Sequence, residues 1–273
     1  MTSLTLGARI HHFTKRMTVT GFIGTVCMFP LRAIINASVA LRIHPNTLTL
    51  IGVLINVGAA VALGTGHFYL GGVIMIAASI FDFIDGKVAH ITGTQSQFGA
   101  FWDSTLDRFS DLILFLGLIH LYSNLRRTDY VMIAALAAIF SIMISYARAR
   151  AESLIEKCKV GFMERPERMV LFWVGAFTNR MAAVMWVLLV LSIITVANRI
   201  HYTYLVLNGK PIPTGDNLLT RGFSRAFFWR DERATLPYDL WVIAILAFVW
   251  LTPPDWLRDP TATGNGLLAW LGY

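Results

Sequence analysis

The chain has 273 residues, of which 56% are hydrophobic and only 14% are charged. An average soluble domain carries about 25% charged residues, so this composition excludes a disordered chain, a coiled coil and most soluble enzymes. Two cysteines in this length exclude a fold stapled by disulfides. The formal net charge of +7 suits anionic lipid or phosphate groups, and the mean hydropathy of +0.60 favours these over nucleic acid.

Residues 1–43 precede the first long apolar run and are expected to form an N-terminal cytoplasmic region with an interfacial helix. The run at 19–31 contains a proline and no convincing cleavage site, which argues against a cleaved signal peptide. Residues 31–41 place Arg32 and Asn36 among apolar positions, which predicts a helix in the membrane interface. A seventh, weakly hydrophobic span is the alternative.

Residues 44–204 contain six apolar runs, which predict an all-α integral membrane domain built as a six-transmembrane-helix bundle. The runs lie at 48–64, 68–83, 109–122, 130–146, 169–177 and 181–197. A bilayer core needs about 20 mostly apolar residues per helix. The second and third runs approach that length only if they include aspartates, Asp82 and Asp85 in one and Asp103 and Asp107 in the other.

Lysine and arginine lie mainly before the first run and between the fourth and fifth runs. Because positive residues favour the cytoplasmic side, both ends of the six-span unit are expected in the cytoplasm. The chain is therefore expected to be a multi-pass protein of the plasma membrane, with its aspartates facing the cytoplasm. The pair Arg126 and Arg127, on the opposite side, runs against this trend.

Residues 205–273 differ in composition and are expected to form a C-terminal membrane-proximal extension. Residues 206–236 are rich in arginine and contain two prolines before the next apolar stretch, which predicts a soluble segment beside the membrane. The apolar stretch at 240–251 has 12 residues, too few to span a bilayer, which predicts a re-entrant or interfacial helix.

Four aspartates lie where a membrane least tolerates charge. Asp82 and Asp85 are spaced i, i+3 and Asp103 and Asp107 are spaced i, i+4, so each pair shares one helix face. An ionised carboxylate at membrane depth costs about 2.5 kcal/mol or more, which makes the four a functional hypothesis. A short connection places both pairs at the same end of two antiparallel helices. Such a group of oxygen donors favours Mg²⁺, Mn²⁺ or Ca²⁺, and two ions would suit displacement at phosphorus.

Glycines lie beside both aspartate pairs, Gly86 directly after Asp85 and Gly99 four residues before Asp103. Each would let a ligand approach the backbone closely, although membrane helices also use small residues simply to pack. A structural ion-pair network of Arg108 with its neighbouring aspartates is a further alternative.

Residues 82–107 resemble the signature of the CDP-alcohol phosphotransferase family. They read D-F-I-D-G-K-V-A-H, eight residues, then G-A-F-W-D-S-T-L-D. The family pattern is D-x2-D-G-x2-A-R, eight residues, then G-x3-D-x3-D, and every fixed position matches except the arginine, which is His90 here. The resemblance covers about residues 40–202 and implies a six-span fold that commonly forms homodimers.

The resemblance implies a role for each aspartate. Members transfer a phosphatidyl-type group from a CDP-linked lipid, or a phosphoalcohol from a CDP-alcohol, to an acceptor hydroxyl and release CMP. By position, Asp82, Asp85 and Asp103 would hold metal, and Asp107 would be the general base and a ligand of a second metal. The cofactor is expected to be Mg²⁺ or Mn²⁺, as two ions.

The resemblance also implies a set of contacts with the CDP-lipid. These are Pro45, Asn46, Thr47 and Leu48 at the start of the first span, then Gly86, His90, Ser96 and Gly99 around the aspartates. Histidine changes charge with pH where arginine does not, so donor binding is expected to weaken at high pH. A tolerated surface position is the alternative for His90.

Basic residues after the fourth run resemble one branch of that family, the phosphatidylinositol-phosphate and archaetidylinositol-phosphate synthases. The residues read S-Y-A-R-A-R-A-E at 145–152 and E-R-P-E-R at 164–168, followed by an arginine at 199. The branch uses inositol phosphate as acceptor. The resemblance implies that the acceptor phosphate contacts Arg148, Arg165 and Arg199, with Arg150 and Arg168 next. Ordinary positive flanking charge, paired with nearby glutamates, is the alternative.

The resemblance therefore implies a membrane enzyme of phospholipid biosynthesis that uses CDP-diacylglycerol and inositol phosphate and produces phosphatidylinositol phosphate and CMP. A phosphatidylglycerophosphate synthase, with glycerol 3-phosphate as acceptor, is the alternative enzyme. A divalent-cation transporter is the alternative from another class, because intramembrane aspartates can mark ion paths. The position of all four aspartates at one end argues against transport.

Overall fold

A computed structural model describes residues 31–211 and 236–262, and every regular element in these ranges is an α-helix. Predictions for residues 1–30, 212–235 and 263–273 lie outside the described residues. The helices are α1 Leu31–Ala40, α2 Pro45–Gly64, α3 Phe68–Thr92, α4 Gln97–Asn124, α5 Thr128–Glu152, α6 Arg165–Thr178, α7 Met181–Leu207, α8 Leu236–Leu251 and α9 Pro254–Leu257.

Four of these helices, α2, α3, α5 and α7, are long and apolar enough to cross a membrane. The all-helical, membrane-type architecture is thereby confirmed. The other two predicted spans correspond to α4, whose first 15 residues carry four charged residues, and to α6, which has 14 residues. The count of six spans therefore stays a prediction.

The helices α2 to α7 pack as a bundle with small residues at the closest crossings. α2 packs against α3 and α4, α4 against α5, and α5 against α7, while α6 packs against α3 and α7. A Cβ placed on Gly117 of α4 would lie 2.3 Å from the carbonyl oxygen of Ala60 on α2. Only a residue without a side chain permits this approach, which is typical of membrane helices.

The connection between α3 and α4 brings both aspartate pairs to one end of the bundle. α3 ends at Thr92 and is capped by Gly93, whose φ of 65° suits glycine, and α4 begins after Ser96. The Ser96 hydroxyl caps α4 by accepting a hydrogen bond of 2.9 Å from the Gly99 N–H. The starts of α2 and α6 and the ends of α5 and α7 lie at this same end, which we call the aspartate end.

The helix α1 lies at the aspartate end against the start of α2 and the end of α3. Ile35 of α1 is buried in a small apolar cluster with Leu48, Ile84 and Val88. Arg32 is exposed. An interfacial position in a membrane stays a prediction for this helix.

The helix α8 packs against α7 and reaches from the aspartate end to the opposite end. Near its start, the Tyr238 hydroxyl donates to Glu167 Oε1 at 3.0 Å, and just after its end the Thr252 carbonyl accepts from Arg180. Residues 252–262 then lie over two turns at the opposite end. There the Tyr130 hydroxyl donates to the Leu257 carbonyl at 2.6 Å, and Asn179 Nδ2 donates to the Thr261 carbonyl at 2.9 Å.

Candidate active site

Three aspartates from α3 and α4 converge at the aspartate end. One carboxylate oxygen from each of Asp82, Asp85 and Asp103 lies within 4.8 Å of the other two. Asp85 is buried, and the other two are half-buried. Three carboxylates at this spacing form a hard oxygen donor set, which fits a divalent cation such as Mg²⁺ or Mn²⁺.

A threonine that the sequence interpretation missed supports this cluster. The buried Thr49 hydroxyl lies 2.6 Å from Asp85 Oδ2 and donates a hydrogen bond to it. Thr49 stands one helical turn after Pro45, so the start of α2 supplies a polar contact to α3. A hydroxyl one turn into the largely apolar helix α2 is the sequence signal that indicates Thr49.

Asp107 lies one turn further along α4 and is held by an arginine from α6. Arg165 Nη1 lies 2.9 Å from Asp107 Oδ1 and 2.8 Å from Asp82 Oδ2. One guanidinium therefore bridges carboxylates of α3 and α4. The sequence predicted Arg165 as an acceptor-phosphate ligand, but here it contacts two predicted metal ligands.

A polar cavity of about 370 Å³ opens beside Asp107, between α4, α5, α6 and α7. It brings together four of the five predicted phosphate-binding arginines, Arg148, Arg165, Arg168 and Arg199. Arg150 is not among the residues that line the cavity. It is exposed at the end of α5 and donates to the Ser153 hydroxyl at 3.2 Å.

Two of the cavity arginines are fixed by buried contacts. Arg168 is 3% exposed and donates to Asp111 Oδ2 at 2.5 Å. Arg199 is 2% exposed and donates to the carbonyls of Ile144 at 2.5 Å and Val160 at 3.1 Å. These contacts make both arginines part of the cavity wall.

Arg148 is more accessible, and it shares one of its carboxylate partners, Glu164, with Arg199. Its guanidinium donates to Glu152 Oε1 at 3.0 Å and to Glu164 Oε1 at 3.1 Å. Arg108, in contrast, donates to the Ser104 carbonyl of its own helix. The alternative prediction of an ion-pair network centred on Arg108 was therefore wrong, because Asp111 forms its ion pair with Arg168 of α6.

The predicted CDP-lipid residues of α2 and α4 lie next to one another. A Cβ on Gly99 would lie 3.1 Å from the Ser96 hydroxyl and 3.6 Å from Asn46 Oδ1. The Trp102 indole donates to the Asn46 carbonyl at 3.3 Å, which ties the starts of α2 and α4 together. Pro45 is buried there.

The other four predicted lipid contacts differ in exposure. Leu48 is 1% exposed and packs in the cluster with α1 and α3, whereas Thr47 is exposed. Gly86 has open space where a Cβ would point, and His90 is exposed in the last turn of α3. Open space at Gly86, directly after Asp85, is the arrangement expected where a ligand approaches the backbone.

The chain matches a family model described as CDP-alcohol phosphatidyltransferase over residues 42–205. The phosphatidylinositol phosphate synthase of Mycobacteroides abscessus is 36% identical over 166 residues, which cover 58% of this chain and 76% of that protein. The archaetidylinositol phosphate synthase of Pyrococcus horikoshii is 34% identical over 173 residues, covering 63% and 89%.

Solved structures of the Mycobacterium tuberculosis phosphatidylinositol phosphate synthase share the fold. The structure with bound CDP-DAG is 29% identical with a TM-score of 0.60, and the match covers 64% of this chain and 93% of that one. The structure with manganese and citrate is 28% identical with a TM-score of 0.60, covering 64% and 88%. The helices α8 and α9 lie beyond the residues that the family model matches.

Proposed function

Because the chain belongs to the CDP-alcohol phosphatidyltransferase family, we propose that it transfers a phosphatidyl group from CDP-diacylglycerol to inositol phosphate and releases CMP. The observation that supports a phosphorylated acceptor is the arginine-lined cavity beside Asp107. Guanidinium groups suit phosphate oxygens, and a free alcohol acceptor would not need several of them. The names of the relatives, synthases of phosphatidylinositol phosphate and archaetidylinositol phosphate, support the same acceptor class.

Asp82, Asp85 and Asp103 would hold the divalent metal, Mg²⁺ or Mn²⁺, and Asp107 would complete a site for a second ion. The convergence of three carboxylates supports this assignment, as does manganese in a solved relative. The bound metal would neutralise the pyrophosphate of the donor and the departing CMP. Thr49 would hold Asp85 in its orientation through the 2.6 Å hydrogen bond.

Asp107 would act as the general base. It lines the acceptor cavity and lies one helical turn from Asp103, so an acceptor hydroxyl in the cavity would reach it beside the metal ligands. A carboxylate in hydrogen-bond reach can take the proton as the oxygen attacks phosphorus. The donor's cytidine would contact the region of Asn46, Ser96, Gly86 and His90.

The chain is an integral membrane protein, and we propose a specific topology and domain organisation for it. Residues 44–204 would form a six-span unit that includes α4 and α6, between the N-terminal interfacial region 1–43 and the C-terminal extension 205–273. The basic residues around the aspartate end support an active site that faces the cytoplasm. The plasma membrane and a homodimer are further parts of this proposal.

The test is CMP release by the purified chain with CDP-diacylglycerol and one acceptor at a time. We expect turnover with inositol phosphate, and none with free inositol or with the Asp107→Asn variant. Turnover with glycerol 3-phosphate and not with inositol phosphate would favour a phosphatidylglycerophosphate synthase. Metal uptake into vesicles that lack CDP-lipid, without CMP release in any assay, would favour a transporter.

A further inference from the structure

Arg165 occupies a position between the metal cluster and the acceptor cavity. Its Nη1 lies within 2.9 Å of carboxylate oxygens of both Asp82 and Asp107, and its side chain also lines the cavity. A guanidinium at this position supplies the positive charge that two neighbouring carboxylates need when no metal is bound. The same carboxylates are proposed metal ligands, so the guanidinium and a divalent cation would compete for them.

Arg165 also has a second carboxylate within reach. Its Nε lies 3.6 Å from Asp111 Oδ1, and both atoms are buried without a hydrogen-bond partner among the described residues. Buried polar atoms are normally paired, and these two face each other just beyond hydrogen-bond distance. A rotation of the side chain that shortened this 3.6 Å distance would pair them.

The other arginines that line the deep part of the cavity lack this freedom. Arg168 and Arg199 are 3% and 2% exposed, and each is tied to a buried carboxylate or to backbone carbonyls. The Arg165 side chain is 25% exposed. Of the three, it has the largest exposed fraction, and its guanidinium contacts carboxylates on two different helices.

We propose that Arg165 is a displaceable counter-ion that couples metal binding to acceptor binding. Without metal it neutralises Asp82 and Asp107. When metal takes these carboxylates, Arg165 turns towards Asp111 and the cavity, where its charge becomes available to the acceptor phosphate. This inference rests on the proposed function. Because coupling between two ligands is reciprocal, phosphate in the cavity would in turn tighten metal binding.

The test measures Mn²⁺ binding to the purified chain in detergent, with no lipid donor, from the electron paramagnetic resonance signal of free Mn²⁺. We expect Arg165→Gln to bind Mn²⁺ about tenfold more tightly than the wild type, a difference of about 1.4 kcal/mol. Arg126→Gln is the matched control, because it removes the same charge from an exposed site at the end of the bundle opposite the aspartates and should leave the affinity unchanged. Equal or weaker Mn²⁺ binding by Arg165→Gln overturns the proposal.

A second measurement uses inorganic phosphate and also works on the wild type alone. We expect phosphate to tighten Mn²⁺ binding several-fold in the wild type and in Arg126→Gln, but not in Arg165→Gln. If the Arg165 variant does not fold, the absence of this effect in the wild type overturns the proposal. Neither measurement involves turnover, so failure to release CMP with inositol phosphate would refute the proposed function and leave the Mn²⁺ result standing.

Discussion

At the scale of single residues, the Thr49 hydroxyl is the contact that holds Asp85. Removing a group that orients a metal-binding carboxylate typically costs about 10–100-fold in metal affinity. We expect Thr49→Val to weaken Mn²⁺ binding by about that factor and to lower CMP release at limiting metal.

Thr49→Ser is the matched control, because it keeps the hydroxyl at the same position on α2. We expect this variant to retain most of the Mn²⁺ affinity. A loss in Thr49→Ser as large as in Thr49→Val would show that packing of the methyl group, and not the 2.6 Å hydrogen bond, supports Asp85.

His90 replaces the family's arginine at an exposed position in the last turn of α3. An arginine at this position offers the donor's phosphates a permanent charge and a planar fork of donors. His90→Arg should therefore lower the KM for CDP-diacylglycerol several-fold at a fixed pH, measured by CMP release. An unchanged donor KM would show that the phosphates of the donor do not reach this position.

At the scale of the elements, the sequence predicted the aspartate helices more accurately than their partners. The i, i+3 and i, i+4 spacings and a short connection were enough to place Asp82, Asp85 and Asp103 together, since these are local properties of α3 and α4. The start of α4 at Gln97 required the Ser96 cap, which apolar periodicity does not reveal.

Contacts between distant helices could not be predicted in this way. Arg165 is 83 residues from Asp82, and Thr49 is 36 residues from Asp85. Positive flanking charge indicates only the end of the bundle at which an arginine lies. Which carboxylate it meets depends on how α6 packs against α3, and a hydrophobic pattern does not encode that packing.

The loop between α5 and α6 is held to α7 by Arg199, which gives a prediction at the scale of elements. Arg199 Nε donates to the Val160 carbonyl at 3.1 Å, two residues after the fully buried Cys158. Burial raises the pKa of the Cys158 thiol, so less of the reactive thiolate forms at neutral pH. In a Cys27→Ser background, alkylation by N-ethylmaleimide should therefore be slow and should accelerate as the pH rises.

Arg199→Gln should release this loop and speed the alkylation of Cys158 about tenfold or more, measured by mass spectrometry under native conditions. Arg126→Gln is the control, because this exposed arginine lies in the turn between α4 and α5, at the opposite end of the bundle. Thermal unfolding in the same detergent separates loop opening from global destabilisation. A rate in Arg199→Gln equal to that of the parent would mean that the loop is held by its apolar contacts alone.

At the scale of the whole molecule, residues 252–262 connect two turns at the end opposite the aspartates. The Tyr130 hydroxyl donates to the Leu257 carbonyl at 2.6 Å, and Asn179 donates to the Thr261 carbonyl at 2.9 Å. Since these turns join α4 to α5 and α6 to α7, the segment ties helices that carry the cavity. The residues proposed for catalysis all lie within 42–205, the range matched by the family model.

Deleting residues 236–273 should therefore lower the stability of the fold more than it lowers the rate of CMP release. We expect a clear fall in the melting temperature in detergent, with CMP release at low temperature retained within a few-fold.

Tyr130→Phe is a milder variant that removes one hydrogen bond, which contributes about 1 kcal/mol, and should lower the melting temperature by roughly 2–4 °C. Because Tyr238 of α8 donates to Glu167 beside Arg168, the deletion also tests whether α8 supports the cavity. Loss of turnover with an unchanged melting temperature would place the C-terminal region in the active site rather than in a stabilising role.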